Sequence, residues 1–355
     1  LIVAIALLLG VTSFAAGCGG GGGESGTIAL LLPDEKSPRY REHDRPEFER
    51  KVSELCDGCK VLYRNAGGDA ERQLKQAEEA LAKGAKVIVV DPVDVYEAAE
   101  IVQKAKLREV PVIAYDRLFF NARIDYYVDV DSEEIGKVQA QALSEKLNEL
   151  GKREGPLVLI TTNTSGPVNL GASLTFNATG LKVVDAYHMP EAPEASVSMS
   201  EREMRRAISK LGPNGFGGVY AVDDKAATGV IEAMKAAGIK PASKVTTGSG
   251  ATITGLQQLL TDQQHMTVYE ANQEEAATAA ELAAELAKGE EVSPEKITDE
   301  PANGLRDVPA ILLKPEPVTK DTIKSTVIDN GFVDPAQLCA GSYAKYCREL
   351  GIQAK

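Results

Sequence analysis

Tryptophan is absent from this 355-residue chain, and histidine occurs only three times, as His43, His188 and His265. The first absence removes an indole stacking platform from any ligand site. The second leaves few general bases. None of the histidines stands beside a nucleophile in a motif, and no Gly-x-Ser-x-Gly, P-loop or His-Glu-x-x-His segment occurs, so no catalytic constellation and no cofactor loop is expected. His43-Asp44 lies in the charged stretch Arg41 to Arg45 and is expected to face solvent. Asp129-x-Asp131-x-Glu133 lacks the glycine and the distal glutamate of a calcium loop, so no metal site is expected there. Basic residues are the minority charge, 39 Lys and Arg against 52 Asp and Glu. A net charge of −13 opposes binding to a phosphate backbone, which Lys and Arg drive, and excludes nucleic acid as a partner. Long apolar runs are also missing beyond Leu1 to Val11, which is too short to span a bilayer. With 43 % hydrophobic residues, the remainder is expected to be a soluble globular body.

What is present begins with that apolar run. It leads into Phe14-Ala15-Ala16-Gly17-Cys18 and then the glycine string Gly19 to Gly23. Small residues closing on one cysteine are the pattern of a lipoprotein signal, so residues 1–18 are expected to be a leader with Cys18 as the lipidated first residue. An ordinary cleaved secretion signal or a buried helix is the alternative. Either export reading places the body outside the cytoplasm, with residues 19–26 as a flexible tether. Of the five cysteines, Cys56, Cys59, Cys339 and Cys347 remain as an even set. In an oxidising compartment they are expected to pair as Cys56–Cys59 and Cys339–Cys347. Cys56-Asp57-Gly58-Cys59 also admits a redox or zinc half-site.

From Thr27 onward, short all-apolar stretches alternate with helical periodicity. Ile28 to Leu32, Lys60 to Tyr63, Val87 to Val90 and Val112 to Tyr115 read as strands. Pro46 to Leu55, Asp69 to Lys83 and Val95 to Leu107 read as the helices between them, the second ending at Gly84. A second series runs from Tyr126 to Thr247, and Met266 to Tyr269, Glu274 to Lys288 and Ala310 to Leu313 follow. Buried strands between amphipathic helices predict an α/β fold of two doubly wound parallel-sheet lobes joined by a hinge. The expected division is 27–118 plus 266–300 for the N-terminal lobe, 119–265 plus 301–335 for the C-terminal lobe, and 336–355 as a Cys-bridged tail.

Ligands of such sheets bind beyond the carboxyl ends of the strands. The polar residues there are Asp34, Arg39, Tyr40, Asp91, Asp116 and Arg117 in the first half. In the second half they are Asn163, Ser165, Asn169, Asp223, Asp224, Glu270 and Asn272. Planar groups that exchange two hydrogen bonds, together with an aromatic, match the vicinal hydroxyls and C–H face of a sugar. For Asp91, Asp131 and Asp224 a helix N-cap or a solvated loop residue is the competing role.

Several stretches carry a more specific resemblance. They are Pro38-Arg39-Tyr40-Arg41, Asp44-Arg45-Pro46, Val90-Asp91-Pro92-Val93-Asp94, Ala114-Tyr115-Asp116-Arg117, Met266-Thr267-Val268-Tyr269 and Asn303-Gly304-Leu305-Arg306-Asp307. In that order the chain resembles the xylose-type sugar-binding proteins of bacterial ABC importers, in lipoprotein form. The resemblance implies a type I periplasmic-binding fold, a monomer that closes on one monosaccharide or related polar ligand and hands it to an ABC permease. No cofactor is implied. It assigns the ligand to Arg39, Tyr40, Asp116 and Arg117 in the first lobe, and to Asn169, Asp223, Asp224 and Glu270 in the second. The second lobe departs from the family pattern, with Asp223-Asp224 for an Asn-Asp pair, Gly250 in place of a carboxylate and Glu270 in place of a lysine. A sugar-sensing receptor for a membrane signalling partner, or a degenerate receptor with an altered ligand, are the alternative roles.

Overall fold

The structure is a computed structural model that describes residues 26–35, 38–152, 155–163, 165–189 and 197–353. Cys18 and nearly all of the tether lie outside the described residues. The first body is built on β1 (Thr27–Leu32), β2 (Lys60–Asn65), β3 (Ala85–Val90), β4 (Val112–Tyr115), β5 (Tyr126–Val130) and β11 (Ala310–Leu313). Their order is β11-β5-β4-β3-β1-β2, and every pairing is parallel. Between them run α1 (Arg45–Leu55), α2 (Ala70–Ala82) and α3 (Ala99–Lys106), and α9 (Asn272–Ala287) lies across the same sheet. One face buries Ala29, Leu31, Ile88 and Val90 under α2 and α3. The other buries Leu30, Val87, Val89 and Ile113 under α1 and α9. Ala276, Ala279, Ala280 and Ala283 of α9 are buried against that face, and their small side chains let the helix lie close to the sheet.

The second body repeats the plan with β6 (Leu157–Thr162), β7 (Val183–Met189), β8 (Gly218–Ala221) and β9 (Val245–Thr246), ordered β7-β6-β8-β9 and parallel. Its helices are α4 (Ser132–Glu149), α5 (Gly166–Thr179), α6 (Val197–Leu211), α7 (Asp224–Ala236) and α8 (Ile253–Leu260). Two glycines fix how closely α4 and α5 cross. A Cβ on Gly136 would stand 1.9 Å from the Val168 carbonyl oxygen, and one on Gly171 would stand 1.9 Å from that of Glu133. Only glycine permits that approach.

The chain passes between the bodies three times: from β5 into α4, from β10 (Met266–Tyr269) into α9, and from β11 into β12 (Glu316–Thr319). β10 and β12 pair antiparallel at these crossings. The expected boundaries therefore move. Residues 126–130 and 310–313, expected in the C-terminal lobe, are strands of the first sheet. Residues 266–269, expected in the N-terminal lobe, pair with β12 and pack against α4 and α8. A crossover is a single extended step with no composition of its own, so residue pattern alone does not locate it.

Both expected cysteine pairs are bonded, with Cα atoms 5.4 Å apart for Cys56–Cys59 and 5.9 Å for Cys339–Cys347. The second closes the tail, whose Leu338, Cys339, Cys347 and Ile352 are buried with Leu256, Leu259 and Val327. Among the described residues, no helix is long and apolar enough to cross a membrane.

Candidate functional site

Strand order reverses direction between β1 and β3 in the first sheet, and the segments leaving β1, β3 and β4 meet at that crevice. After β1, a π-helical turn, Tyr40–Asp44, runs directly into α1. The extra residue in that turn brings Arg39 and Asp44 to the same side, where Arg39 Nε donates to Asp44 Oδ2 at 3.0 Å. Arg39 Nη1 donates to Asp116 Oδ1 at 2.7 Å, and Nη2 to Glu275 Oε2 at 3.0 Å. One guanidinium thus serves three carboxyl groups from three elements. Burial alone would lower its pKa, but the charges of Asp116, Asp44 and Glu275 outweigh burial and hold it well above the usual value.

Asp116 follows β4 with φ +64°, and the Arg117 amide donates to the Tyr115 carbonyl at 2.7 Å. This is a γ-turn with a non-glycine residue in the left-handed region, a conformation that costs about 1–3 kcal/mol and marks functional sites. The turn places Asp116 between two cations. Arg117 Nε lies 3.6 Å from Asp116 Oδ2 and 3.2 Å from Asp91 Oδ1, while its Nη1 donates to the Pro92 carbonyl at 2.8 Å. Burial pushes the Asp116 carboxyl up, but Arg39 and Arg117 overcome this and hold it below its ordinary value.

Behind this pair stand Asp129 and Glu275. Oxygens of Asp116, Asp129 and Glu275 lie within 4.8 Å of one another. Asp129 accepts from the Tyr127 hydroxyl and from the Val130 amide. Burial pushes both Asp129 and Glu275 well above the usual carboxylate range, with Asp116 adding to the effect on Asp129 and Arg39 opposing it on Glu275. Of the three, only Asp116 is held below its ordinary value, while the two carboxyls behind it are pushed up. Glu275 Oε1, Asp44 Oδ1 and the Tyr115 hydroxyl are buried without a hydrogen-bond partner among the described residues. Arg39 already bonds Asp116 and Glu275 of this trio, so a metal ion there would compete with it.

Two expectations for this lobe change. Tyr40, expected to contact the ligand, is 5 % exposed. Its ring belongs to the core beneath β1, and its hydroxyl donates to Asp91 Oδ2 at 2.7 Å and accepts from Arg117 Nη2 at 3.1 Å. It positions Arg117 from below. The expectation that His43-Asp44 faces solvent also fails. Asp44 is 1 % exposed on Arg39, and the His43 ring stacks on Phe332 at 4.8 Å. A π-turn rotates this segment by one residue relative to an α-helical reading, so polar residues turn inward.

In the second lobe the strand-end residues mostly close their own loops. Asn169 Nδ2 donates to the Thr162 carbonyl at 3.0 Å, and Asn169 Oδ1 accepts from the Thr161 hydroxyl, which ties α5 to β6. Asp223 caps α7, accepting from the Ala226 amide at 2.6 Å. Asp224, expected among the ligand contacts, is 1 % exposed. It accepts from the Thr252 amide at 2.8 Å, the Thr252 hydroxyl at 2.9 Å, Gln264 Nε2 at 2.9 Å and the Thr267 hydroxyl at 2.8 Å. That carboxylate is saturated and joins α7, α8 and β10, so it has no lone pair to offer a ligand. Glu270 differs from these. It ends β10 at a crossover, accepts from the Ser249 hydroxyl and is only partly buried. Burial pushes its carboxyl above the ordinary value, against the Ser249 hydrogen bond and Arg39, and the segment after it leads into α9, whose Glu275 bonds Arg39.

The structure thus brings Arg39, Asp116, Arg117 and Glu270 toward one region and assigns Tyr40 and Asp224 to the scaffold. Sequence reading missed Asp44, Asp129 and Glu275. The inward alternation of Tyr127 and Asp129 along β5 could have found one of them. Glu275, on a helix distant in sequence, carries no such signal.

Comparison with known proteins agrees with this geometry. Residues 28–291 match the family described as periplasmic binding protein domain. The chain is 31 % identical over 324 residues to the D-xylose-binding periplasmic protein of Escherichia coli, covering 88 % of this chain and 92 % of that protein. It is 28 % identical to the multiple sugar-binding periplasmic protein SbpA of Azospirillum brasilense, over 88 % of this chain and 90 % of that one. In fold it matches a Clostridium phytofermentans ABC transporter solute-binding protein with bound β-D-glucose. The TM-score is 0.73 at 23 % identity, over 88 % of this chain and 99 % of that one. Two parallel-sheet lobes, three crossovers and full-length similarity to xylose-binding relatives converge: this chain belongs to the periplasmic binding protein family.

Proposed function

We propose that this protein is an extracytoplasmic solute receptor of an ABC importer, anchored by lipid on Cys18 and acting as a monomer. It binds a monosaccharide or close relative between its lobes and delivers it to the permease. The observation that carries this reading is the Arg39–Asp116–Arg117 array at the switch point of the first sheet. Each guanidinium has five N–H groups, and the contacts above engage three on each. The remaining N–H groups and Asp116 Oδ2 form alternating donors and acceptors in fixed planes, a match for adjacent sugar hydroxyls. The network of Tyr40, Asp91, Asp44 and Glu275 fixes these groups before the ligand arrives, which lowers the ordering cost of binding. No bond is made or broken in this role. The ligand adds contacts across the cleft, and closure about the three crossovers is the signal that the permease reads.

A thermal-shift screen against pentoses, hexoses and polyols at millimolar concentration tests this. A ligand present at 1,000 times its Kd stabilises by about 4 kcal/mol, a shift of several degrees. The expected result is such a shift with at least one sugar. Absence of any shift across the panel would overturn the reading.

A further inference from the structure

Two guanidiniums, Arg39 and Arg117, are bonded within the first lobe by buried acids, and Glu270 follows β10 on the segment that leads into Glu275, which bonds Arg39. Arg39 is engaged by Asp44, Asp116 and Glu275, and Arg117 by Asp91 and Asp116. Asp129 has no cation at ion-pair distance among the described residues, but the Tyr127 hydroxyl and Val130 amide serve both of its oxygens. Glu270 also lacks a cation at that distance among the described residues, and the hydrogen bond it accepts there comes from one neutral hydroxyl, that of Ser249. Unlike the buried acids behind Arg39, it is partly exposed. After it the chain turns through Ala271 at φ +48° before α9 begins. A partly exposed carboxylate at the crossover, on the segment that leads into Glu275 and through it to Arg39, and with no cation at ion-pair distance among the described residues, is suited to receive a positive charge.

We infer that Glu270 is the specificity-determining residue of the cleft and selects a monosaccharide-sized polyol bearing a primary ammonium group, an amino sugar. The inference rests on the sugar-receptor reading above. Hydroxyls of such a ligand meet Arg39, Asp116 and Arg117, and its ammonium donates to Glu270 as a charge-assisted hydrogen bond. Such bonds are about twice as strong as neutral ones. A neutral hydroxyl in the same place forms a weaker bond and leaves the carboxylate charge unmatched.

The test is titration calorimetry on the full chain with glucosamine, galactosamine and mannosamine, each against glucose, galactose or mannose as its neutral parent. At least one amino sugar should bind ten times or more tighter than its parent. Glu270→Gln keeps the side-chain shape and an oxygen for Ser249, and it should bring that affinity ratio down to about one. The wild-type ratio needs no variant, so a folding defect in E270Q would not blunt the test. If neutral sugars bind as tightly as their amines, or if E270Q leaves the ratio unchanged, the amine assignment falls and the receptor reading stands. If none of the six binds and the wider thermal-shift panel is silent, the receptor reading falls and takes the assignment with it.

Discussion

The two lobes share a plan and use it differently. In the first, residues from after β1, β4 and the start of α9 converge on one another, so Arg39, Asp116 and Glu275 form one network. In the second, the corresponding loop ends turn inward: Asn169 closes on β6, Asp223 caps α7 and Asp224 joins α7, α8 and β10. Similar residue types at equivalent places in a sheet thus build a shared charge network in one lobe and close their own loops in the other. What separates the two outcomes is saturation. Asp224 accepts four hydrogen bonds from its own lobe, while Asp116 is fixed by cations that themselves keep free donors.

The largest effect should come from breaking the first-lobe network. Arg39→Met leaves three carboxyls without their shared cation and should cost about 3–5 kcal/mol in urea unfolding, with sugar binding abolished. Retained affinity in this variant would remove the array from the site. Asp224→Ala sharpens the contrast from the other side. It strands buried donors on Thr252, Gln264 and Thr267 and should cost about 2–3 kcal/mol, while ligand affinity stays unchanged. An affinity loss that outruns the stability loss would return Asp224 to the ligand set.

Glu275→Gln should have the smallest effect, under about 1 kcal/mol at neutral pH, because burial already favours the neutral form of that carboxyl and Gln keeps an oxygen for Arg39. Its signature is the pH profile. The folded value of Glu275 lies above the ordinary 4.5. Between the two values the unfolded chain gives up a proton that the folded protein keeps, so stability falls as pH rises through that window. E275Q should flatten this decline. Asp116 works with the opposite sign, since its folded value lies below the ordinary 3.8. Its stabilisation is full above 3.8 and is lost as pH falls through the folded value. Urea midpoints from strongly acidic to neutral pH separate the two contributions, and an unchanged slope in E275Q would contradict a raised Glu275.

Much of the fold was legible because its signals are local. The all-apolar run Ile28 to Leu32 marks a strand buried on both faces, and Gly84 at φ +79° closes α2 where the periodicity ends. The positions of Arg39, Asp116 and Arg117 followed from strand ends and from resemblance. Tyr40 was legible as a residue of the site region but not in its role. Whether an aromatic beside an arginine faces a ligand or the core depends on the turn type, here a π-turn with no distinctive composition. Asp224 was misjudged for a related reason, since its four donors arrive from residues 28 to 43 positions away.

By itself the sequence determined the α/β alternation, the paired cysteines and the acidic balance, because each is a matter of residue type and short-range spacing. Tertiary structure alone decided where the chain crosses between lobes and which acids are pushed up and which held down. It also decided that Glu275, 236 positions from Arg39, completes the charge network. Crossings are set by which sheet a strand pairs with, and ionisation by burial and by the distance to a counter-charge. Both are properties of segments brought together from afar.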